Sequence, residues 1–280
     1  MYKRQIQLLA TLACNPFLSH FFKGKLYRGS LKGVCVPGLN CYSCPAAAAS
    51  CPIGSLQAVV GAPQYQVFYY VVGILIFLGA LLGRGICGFL CPFGWFQELL
   101  HKLPTRKYST RRLHGLTYLK YGVLVVFVIL LPMTVVNEVG LGDPFFCKYL
   151  CPAGILEGGL PLSLANESIR ASLGTLFTWK SCLLVGVVVL AIFFYRPFCK
   201  WLCPLGAFYA LFNKHALCRL SVDQDRCTAC GASSRACGMD VDVFRSPNHT
   251  ECIRWGTASG PAPIRPSAGP RTCGQHTKRS

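Results

Sequence analysis

Cysteine is the residue whose type and spacing in this chain could support chemistry, because its thiolate binds metals and iron–sulfur clusters. The sequence of 280 residues contains 18 cysteines. A short unit, Cys-Pro-x-Gly followed by apolar residues, occurs four times, starting at Cys51, Cys91, Cys151 and Cys203. In the last three copies a further cysteine lies four residues earlier, at Cys87, Cys147 and Cys199. Cysteines this close in sequence favour a shared metal centre over crossing disulfides.

Each unit also carries the residues that would begin a helix at its cysteine. A proline after the cysteine predicts a helix start, because the first helical N–H is unpaired in any case. The thiolate would then lie near free N–H groups and the positive end of the helix dipole, which stabilise negative charge. The glycine leaves room for a bulky cofactor beside the backbone. We therefore expect short re-entrant helices with a ligand at each N-terminus.

The composition of the whole chain is that of a membrane protein. Hydrophobic residues make up 52% of it and charged residues 14%, whereas a soluble domain carries about a quarter charged residues. The net charge is +18, but the basic residues flank apolar segments, which is the membrane pattern. We therefore expect a membrane partner and no nucleic acid.

Four apolar segments predict an all-α membrane protein with about four transmembrane helices. They are residues 6–22, 67–83, 121–136 and 181–195. The last three runs are a little shorter than the ~20 residues of a straight span, and Asn15, Pro16 and His20 interrupt the first. The strongly basic loop 101–114 is expected on the cytoplasmic side.

This topology places copies one and three of the unit outside and copies two and four inside. The inner set is then Cys87, Cys91, Cys199 and Cys203, a complete four-thiolate site. The outer set is Cys147 and Cys151 with two of Cys35, Cys41, Cys44 and Cys51, of which Cys44 and Cys51 are favoured. One site near each face suits electron transfer across the membrane.

The C-terminal part resembles a bacterial two-cluster ferredoxin in which ligands are missing. The ferredoxin pattern is Cys-x2-Cys-x2-Cys-x3-Cys-Pro, given twice. Only four cysteines fit it: Cys227, Cys230, Cys237 and Cys252. Ser233, Gly238, Trp255 and Ala258 occupy other pattern positions. These four cysteines form either one improvised metal site or a remnant fold with free thiols.

The predicted organisation has three parts. Residues 1–215 form the membrane domain, 216–256 the ferredoxin-like segment and 257–280 a disordered tail rich in small and basic residues. Residues 1–5 resemble a translated adaptor, and the change of composition after Trp255 resembles a frameshift.

Residues 85–94, 198–206 and the run from Cys227 together resemble the polytopic 4Fe-4S-binding membrane proteins, the NapH-like and NosR C-terminal-like polyferredoxins. The resemblance covers about residues 6–255. It implies [4Fe-4S] clusters, two of them in the membrane domain, and redox partner proteins. It further implies a multi-pass protein of the inner (cytoplasmic) membrane of a bacterium. Such a protein relays electrons between a cytoplasmic or quinol donor and a partner oxidoreductase, as a subunit rather than a stand-alone enzyme.

Two alternative functions remain open at this stage. A quinol dehydrogenase subunit would bind quinone and needs a proton acceptor, for which Glu98 and His101 are the candidates. A structural zinc or thiol-sensing membrane protein would use the same cysteines, because zinc also accepts four thiolates.

Overall fold

A computed structural model describes residues 2–61, 67–135, 142–222, 234, 237–242, 244–254 and 264–268. Within these residues the chain is mostly helical. The α-helices are α1 (Tyr2–Cys14), α2 (Ser19–Lys23), α3 (Pro52–Val60), α4 (Val67–Leu82), α5 (Gly85–Phe89), α6 (Pro92–Leu100), α7 (Leu119–Val123), α8 (Leu131–Thr134), α9 (Leu160–Ala165), α10 (Glu167–Ala171), α11 (Thr175–Phe193), α12 (Pro197–Trp201) and α13 (Pro204–Phe212). Segments Ser30–Gly33 and Arg111–Tyr118 are 3-10 helices, and Leu124–Leu130, Phe146–Leu150 and Gly154–Gly159 are π-helices. The strands are β1 (Cys218–Val222) and β2 (Ile264–Ala268).

Two helical stretches of the described chain are long and apolar enough to cross a membrane, Leu113–Thr134 and Thr175–Phe193. They correspond to the predicted spans 121–136 and 181–195. The helix in the predicted span 67–83, α4, has 16 residues, fewer than the ~20 of a straight span. The predicted span 6–22 is broken, since α1 ends at Cys14 and Pro16 precedes α2. The helical class is confirmed, and the number of four spans stays a prediction.

The Cys-Pro units begin helices, as their sequence predicts. In α3, α6 and α13 the proline is the first helical residue and the cysteine is the N-cap. In the third copy Cys151 precedes a helical stretch at 152–165. Whether these helices dip into a membrane remains a prediction.

The core lies where the Cys-Pro helices meet. Ile53, Phe93 and Leu205, each two residues after a unit's cysteine, are at most 1% exposed. The Phe93 ring meets the Phe198 ring edge-on, with centroids 5.3 Å apart. The long helix α11 packs against α6 while apolar residues such as Val185 remain 61% exposed. The outer surface of this helix is therefore apolar.

The C-terminal part contacts the helical part through charged side chains. Arg254 donates to the carbonyl oxygens of Leu82 at 2.6 Å and Asn213 at 2.8 Å. Strand β2 pairs antiparallel with β1, whereas the sequence predicts disorder from residue 257 onward. Composition gives no sign of this pairing, because β1 supplies its backbone partner from about 45 positions earlier in the chain. The rest of the predicted tail lies outside the described residues.

Candidate functional site: two buried cysteine sets

The structure brings the predicted inner set together. Cys87, Cys91, Cys199 and Cys203 are all buried. Burial raises the pKa of Cys203, and the nearby charges of Cys199, Cys87 and Cys91 raise it further. Four thiols whose charges influence one another in this way lie near one another. An uncompensated charge there would be costly, so these thiols favour a cationic occupant.

Backbone N–H groups point at the sulfurs from the helix starts. The amide of Gly94 donates to Cys91 Sγ at 3.4 Å, and that of Gly206 donates to Cys203 Sγ at 3.4 Å. Cys51 is also an N-cap but accepts no such hydrogen bond; the nearby backbone of Gly54 and Gly154 lowers the pKa values of Cys51 and Cys151, although burial outweighs this effect. The second and fourth copies thus share one local device: a helix N-terminus whose N–H groups stabilise a thiolate.

Two buried arginines link the two halves of the inner set, because each donates a hydrogen bond to a cysteine carbonyl oxygen in the other half. Arg84 Nη2 donates to the carbonyl oxygen of Cys199 at 3.0 Å, and Arg196 Nη1 donates to that of Cys87. Both side chains are fully buried. A Cβ on Gly94 would lie 3.0 Å from Arg196 Nη1. The room that we expected this glycine to leave for a cofactor is therefore occupied by a guanidinium group.

Each arginine is neutralised by a buried carboxylate. Arg84 pairs with Glu251 at 2.5 Å, and Arg196 pairs with Glu98 at 2.7 Å. Lys120 also pairs with Glu251. These pairs leave a positive charge beside the inner set.

The outer set differs from the favoured pairing, because the structure places Cys41 rather than Cys44 beside the other sulfurs. Burial raises the pKa of Cys151, and the charges of Cys147, Cys41 and Cys51 add to it. Cys44 instead donates through its thiol to Asn15 Oδ1 at 3.6 Å. Cys41 and Cys44 are separated by a turn, which is closed by a hydrogen bond of 3.1 Å from the Cys44 N–H to the Cys41 carbonyl oxygen. Cys35 lies beside Ser55. The Ser55 hydroxyl lowers the pKa of Cys35, but burial has the larger effect and raises it.

One loop touches both sets. The backbone of Leu39 lies beside Cys91 of the inner set and lowers its pKa, and that of Asn40 does the same for Cys51 of the outer set, although burial outweighs both effects. Gly38 permits this approach, since a Cβ on it would lie 2.7 Å from Cys91 Cα. Because Leu39 and Asn40 are consecutive residues, the sulfurs of Cys91 and Cys51 lie on the order of 10 Å apart. The placement of the sites near opposite membrane faces stays a prediction, whereas the structure places Cys91 and Cys51 beside one loop.

The remaining predicted sites are the ferredoxin-like cysteines and the quinone candidates. Cys227 and Cys230 lie outside the described residues. Burial raises the pKa of Cys252, and the charge of nearby Cys237 contributes, so these two lie near each other.

Glu98, the first quinone candidate, accepts hydrogen bonds from Arg196 and Lys3. Burial opposes the ionisation of Glu98, yet these cations lower its pKa overall. A carboxylate held in this way is a poor proton acceptor.

His101 is the second quinone candidate. Its ring nitrogen Nδ1 lies 3.3 Å from the carbonyl oxygen of Ala191. Burial lowers the pKa of His101. The ring is thus packed against α11, where burial opposes its protonation.

The geometry of the cysteines also bears on the choice of metal. A zinc ion holds its sulfurs at about 2.3 Å, whereas a four-iron cluster binds sulfurs spread over its four corners. Among the described residues, no three His, Cys, Asp or Glu side chains converge at single-ion distances.

Comparisons with known proteins bear on the cofactor that the chain holds. Residues 66–111, 119–160 and 175–221 match the family described as 4Fe-4S binding domain. The ferredoxin-type protein MauN, for methylamine utilization, of Paracoccus denitrificans is 28% identical over 239 residues, 83% of this chain and 72% of MauN. The ferredoxin-type protein NapH of Haemophilus influenzae is 25% identical over 259 residues, 88% of this chain and 75% of NapH. Protein MJ0750 of Methanocaldococcus jannaschii, itself uncharacterized, is 27% identical over 191 residues, 65% of this chain and 69% of MJ0750. No solved structure matches the chain.

The fold and the two sets define a helical protein with two groups of buried or partly buried cysteine thiols. The chain belongs to the family of 4Fe-4S-binding, ferredoxin-type electron-transport proteins. Its cofactors are [4Fe-4S] clusters, and the cysteine sets described above fit that cofactor in thiolate number, burial and N–H donors.

Several residues around the sets escape the sequence analysis. Arg84 and Arg196 each precede a cysteine by three residues, and Gln57 and Gln97 each follow one by six. This repetition is the signal that could have revealed them. Glu251, the partner of Arg84, carries no such signal, and the sequence predicts Glu98, the partner of Arg196, only as a proton acceptor.

Proposed function

We propose that the chain carries electrons between two [4Fe-4S] clusters, one in each cysteine set, on a path between a donor and a partner oxidoreductase. The observation that carries this proposal is the loop whose consecutive residues Leu39 and Asn40 lie beside Cys91 and Cys51. Clusters bound to these two sulfurs would be close enough for direct electron transfer. The bound clusters supply the redox chemistry, and the chain holds them, desolvates them and fixes their separation.

The ligand assignment follows from the positions of the thiols. The inner cluster is held by Cys87, Cys91, Cys199 and Cys203. The outer cluster is held by Cys41, Cys51, Cys147 and Cys151. Cys44 and Cys35 lie outside this assignment because their thiols face Asn15 and Ser55.

The proposed location is the inner membrane, crossed several times. Support comes from the apolar helices Leu113–Thr134 and Thr175–Phe193 and from the apolar composition. A redox partner is proposed by analogy with the ferredoxin-type relatives MauN and NapH.

Iron and acid-labile sulfide per chain, measured on protein purified anaerobically in detergent, test the proposal. About eight irons are expected, the content of two [4Fe-4S] clusters, together with two signals in the electron paramagnetic resonance (EPR) spectrum after reduction. Cys87→Ser and Cys199→Ser should deplete the same signal. Cys182→Ser, at an exposed thiol of α11, is the matched control and should deplete neither. Zinc without iron would instead support the structural or thiol-sensing alternative.

A second candidate function, quinol oxidation, is favoured by one cavity. It has a volume of about 250 Å³ and lies between the start of the helix at Leu113 and the ferredoxin-like segment. His114, His249 and Lys200 are among its lining residues, and Lys200 follows the ligand Cys199. His249 Nδ1 accepts the Glu251 N–H at 3.1 Å, so Nε2 of the neutral ring bears hydrogen; it can hold a quinone or quinol oxygen by a hydrogen bond but does not itself accept the proton of the quinol.

Reduction of the clusters by a water-soluble quinol tests this candidate. If the cavity is the site, His249→Phe should slow the reduction while leaving iron content unchanged. Equal rates in the variant and the wild type would leave the electron-transfer subunit as the better function.

A further inference from the structure

Gln97 reaches from the second copy of the Cys-Pro unit to a sulfur of the fourth. It lies six residues after Cys91 and is fully buried. Its Nε2 lies 3.2 Å from Cys199 Sγ, and its Oε1 accepts the N–H of Phe198 at 3.2 Å. The side chain thus holds both the sulfur and the backbone of one inner ligand.

Gln57 makes the same two contacts in the other set. It lies six residues after Cys51 and is also fully buried. Its Nε2 lies 3.2 Å from Cys147 Sγ, and its Oε1 accepts the N–H of Phe146 at 3.0 Å. Each set therefore contains one glutamine that clamps a cysteine from another copy of the unit.

The backbone contact decides which end of each amide faces the sulfur. A backbone N–H can only donate, so the glutamine oxygen must face it. The amino group is then left toward the sulfur, and it can only donate. The two remaining copies carry other groups at this position: Glu157 accepts the N–H of Cys41 at 2.6 Å, and Tyr209 donates to the carbonyl oxygen of Pro37 at 3.0 Å.

A donor at a ligating sulfur changes the balance between the redox states of a cluster. Reduction adds one electron, and part of its charge resides on the sulfurs. A hydrogen bond to sulfur therefore stabilises the reduced state more than the oxidised state, and so raises the reduction potential.

We propose that Gln57 and Gln97 are positioning residues that set the reduction potentials of the outer and inner clusters separately, one residue for each cluster. This inference rests on the proposed function, in which each set holds a cluster. Each glutamine acts through the sulfur of one ligand and through the backbone that orients that ligand.

Redox titration followed by EPR, on the full chain in detergent, tests the inference. Gln97→Glu keeps the shape and the contact with the Phe198 N–H but replaces the sulfur's donor with a carboxyl oxygen. Gln97→Met removes the donor without adding a charge. Both should lower the potential of the cluster that Cys87→Ser abolishes and leave the other unchanged. Gln57→Glu and Gln57→Met should do the reverse.

Tyr209→Phe is the matched control, because it alters the same position of the unit without removing a donor to sulfur. It should leave both potentials at their wild-type values. Equal shifts of both clusters in a glutamine variant, no shift, or the same shift in Tyr209→Phe would overturn the inference. Loss of iron in both the Glu and Met variants would also overturn it, since the glutamines would then serve ligation alone. Absence of iron from the wild-type protein would overturn the proposed function and this inference together.

Discussion

Cys41 and Cys44 are three residues apart in one turn, yet their thiols face different groups. Cys41 lies with Cys51, Cys147 and Cys151, whereas Cys44 donates to Asn15. Burial raises the pKa of Cys44 to about 11, and the charge of Glu157 contributes. A buried thiol with a protein acceptor behaves as a small packed group. The role of each of these two cysteines thus depends on the direction in which its thiol points, not on its residue type.

The first prediction at the residue scale concerns these two thiols. Cys41→Ser should lose about four of the eight irons, because the outer cluster loses a ligand. Cys44→Ser should retain all of them, since serine can keep the hydrogen bond to Asn15. Iron analysis and EPR of the two variants check this. If Cys44→Ser lost the outer EPR signal and Cys41→Ser kept it, Cys44 rather than Cys41 would be the ligand.

At the scale of elements, the ferredoxin-like segment is held to helix α12 by Asp240. Its carboxylate accepts hydrogen bonds from Thr110 and from Lys200, the latter at 3.1 Å. Burial alone would raise the pKa of Asp240, but the Thr110 hydrogen bonds and the charge of Lys200 outweigh it and lower this pKa to about 2. Lys200 directly follows the inner ligand Cys199, so this contact joins the segment to the inner set.

The second prediction concerns the strength of this contact. Asp240→Asn should make amide hydrogen exchange in residues 237–254 roughly fivefold faster at pH 7, the effect of losing ~1 kcal/mol. In the wild type the Asp240 contact makes its full contribution to stability at pH values above 3.8, the ordinary pKa of Asp. Its contribution should disappear as the pH falls from about 4 to about 2. The variant should lack this acid-dependent change.

Asp242→Asn is the control for the second prediction. Asp242 bonds the hydroxyl of Ser234 within the segment, in an exposed position, and so does not join the segment to α12. Equally fast exchange in both variants would show that Asp240 does not hold the segment in place.

The elements also show what a sequence can and cannot reveal here. Helix starts at Pro52, Pro92 and Pro204 were predictable, because proline and the helix N-terminus act within a few residues. The grouping of Cys87 with Cys199 followed from the repeat. The choice of Cys41 over Cys44 depends on the direction of a turn, and the pair of Arg84 with Glu251 joins residues 167 positions apart. Neither of these leaves a local pattern.

At the scale of the whole molecule, the two sets lie side by side but in unequal electrostatic surroundings. The inner set is flanked by the buried cations Arg84, Arg196 and Lys120, against the carboxylates Glu98 and Glu251. Beside the outer set, Lys180 donates to the Cys147 carbonyl oxygen at 3.2 Å, and Glu157 accepts the N–H of Cys41. The excess of buried positive charge therefore lies with the inner set.

The third prediction follows from this asymmetry. Positive charge in a low-dielectric interior favours the more negative state of a nearby cluster, so the inner cluster should have the higher reduction potential. In a redox titration of the wild type, the EPR signal that Cys87→Ser abolishes should appear at a higher potential than the one that Cys41→Ser abolishes. Electrons would then run downhill from the outer to the inner cluster. The opposite order would mean that solvent access or hydrogen bonding at the sulfurs outweighs the buried arginines, and the downhill direction would reverse.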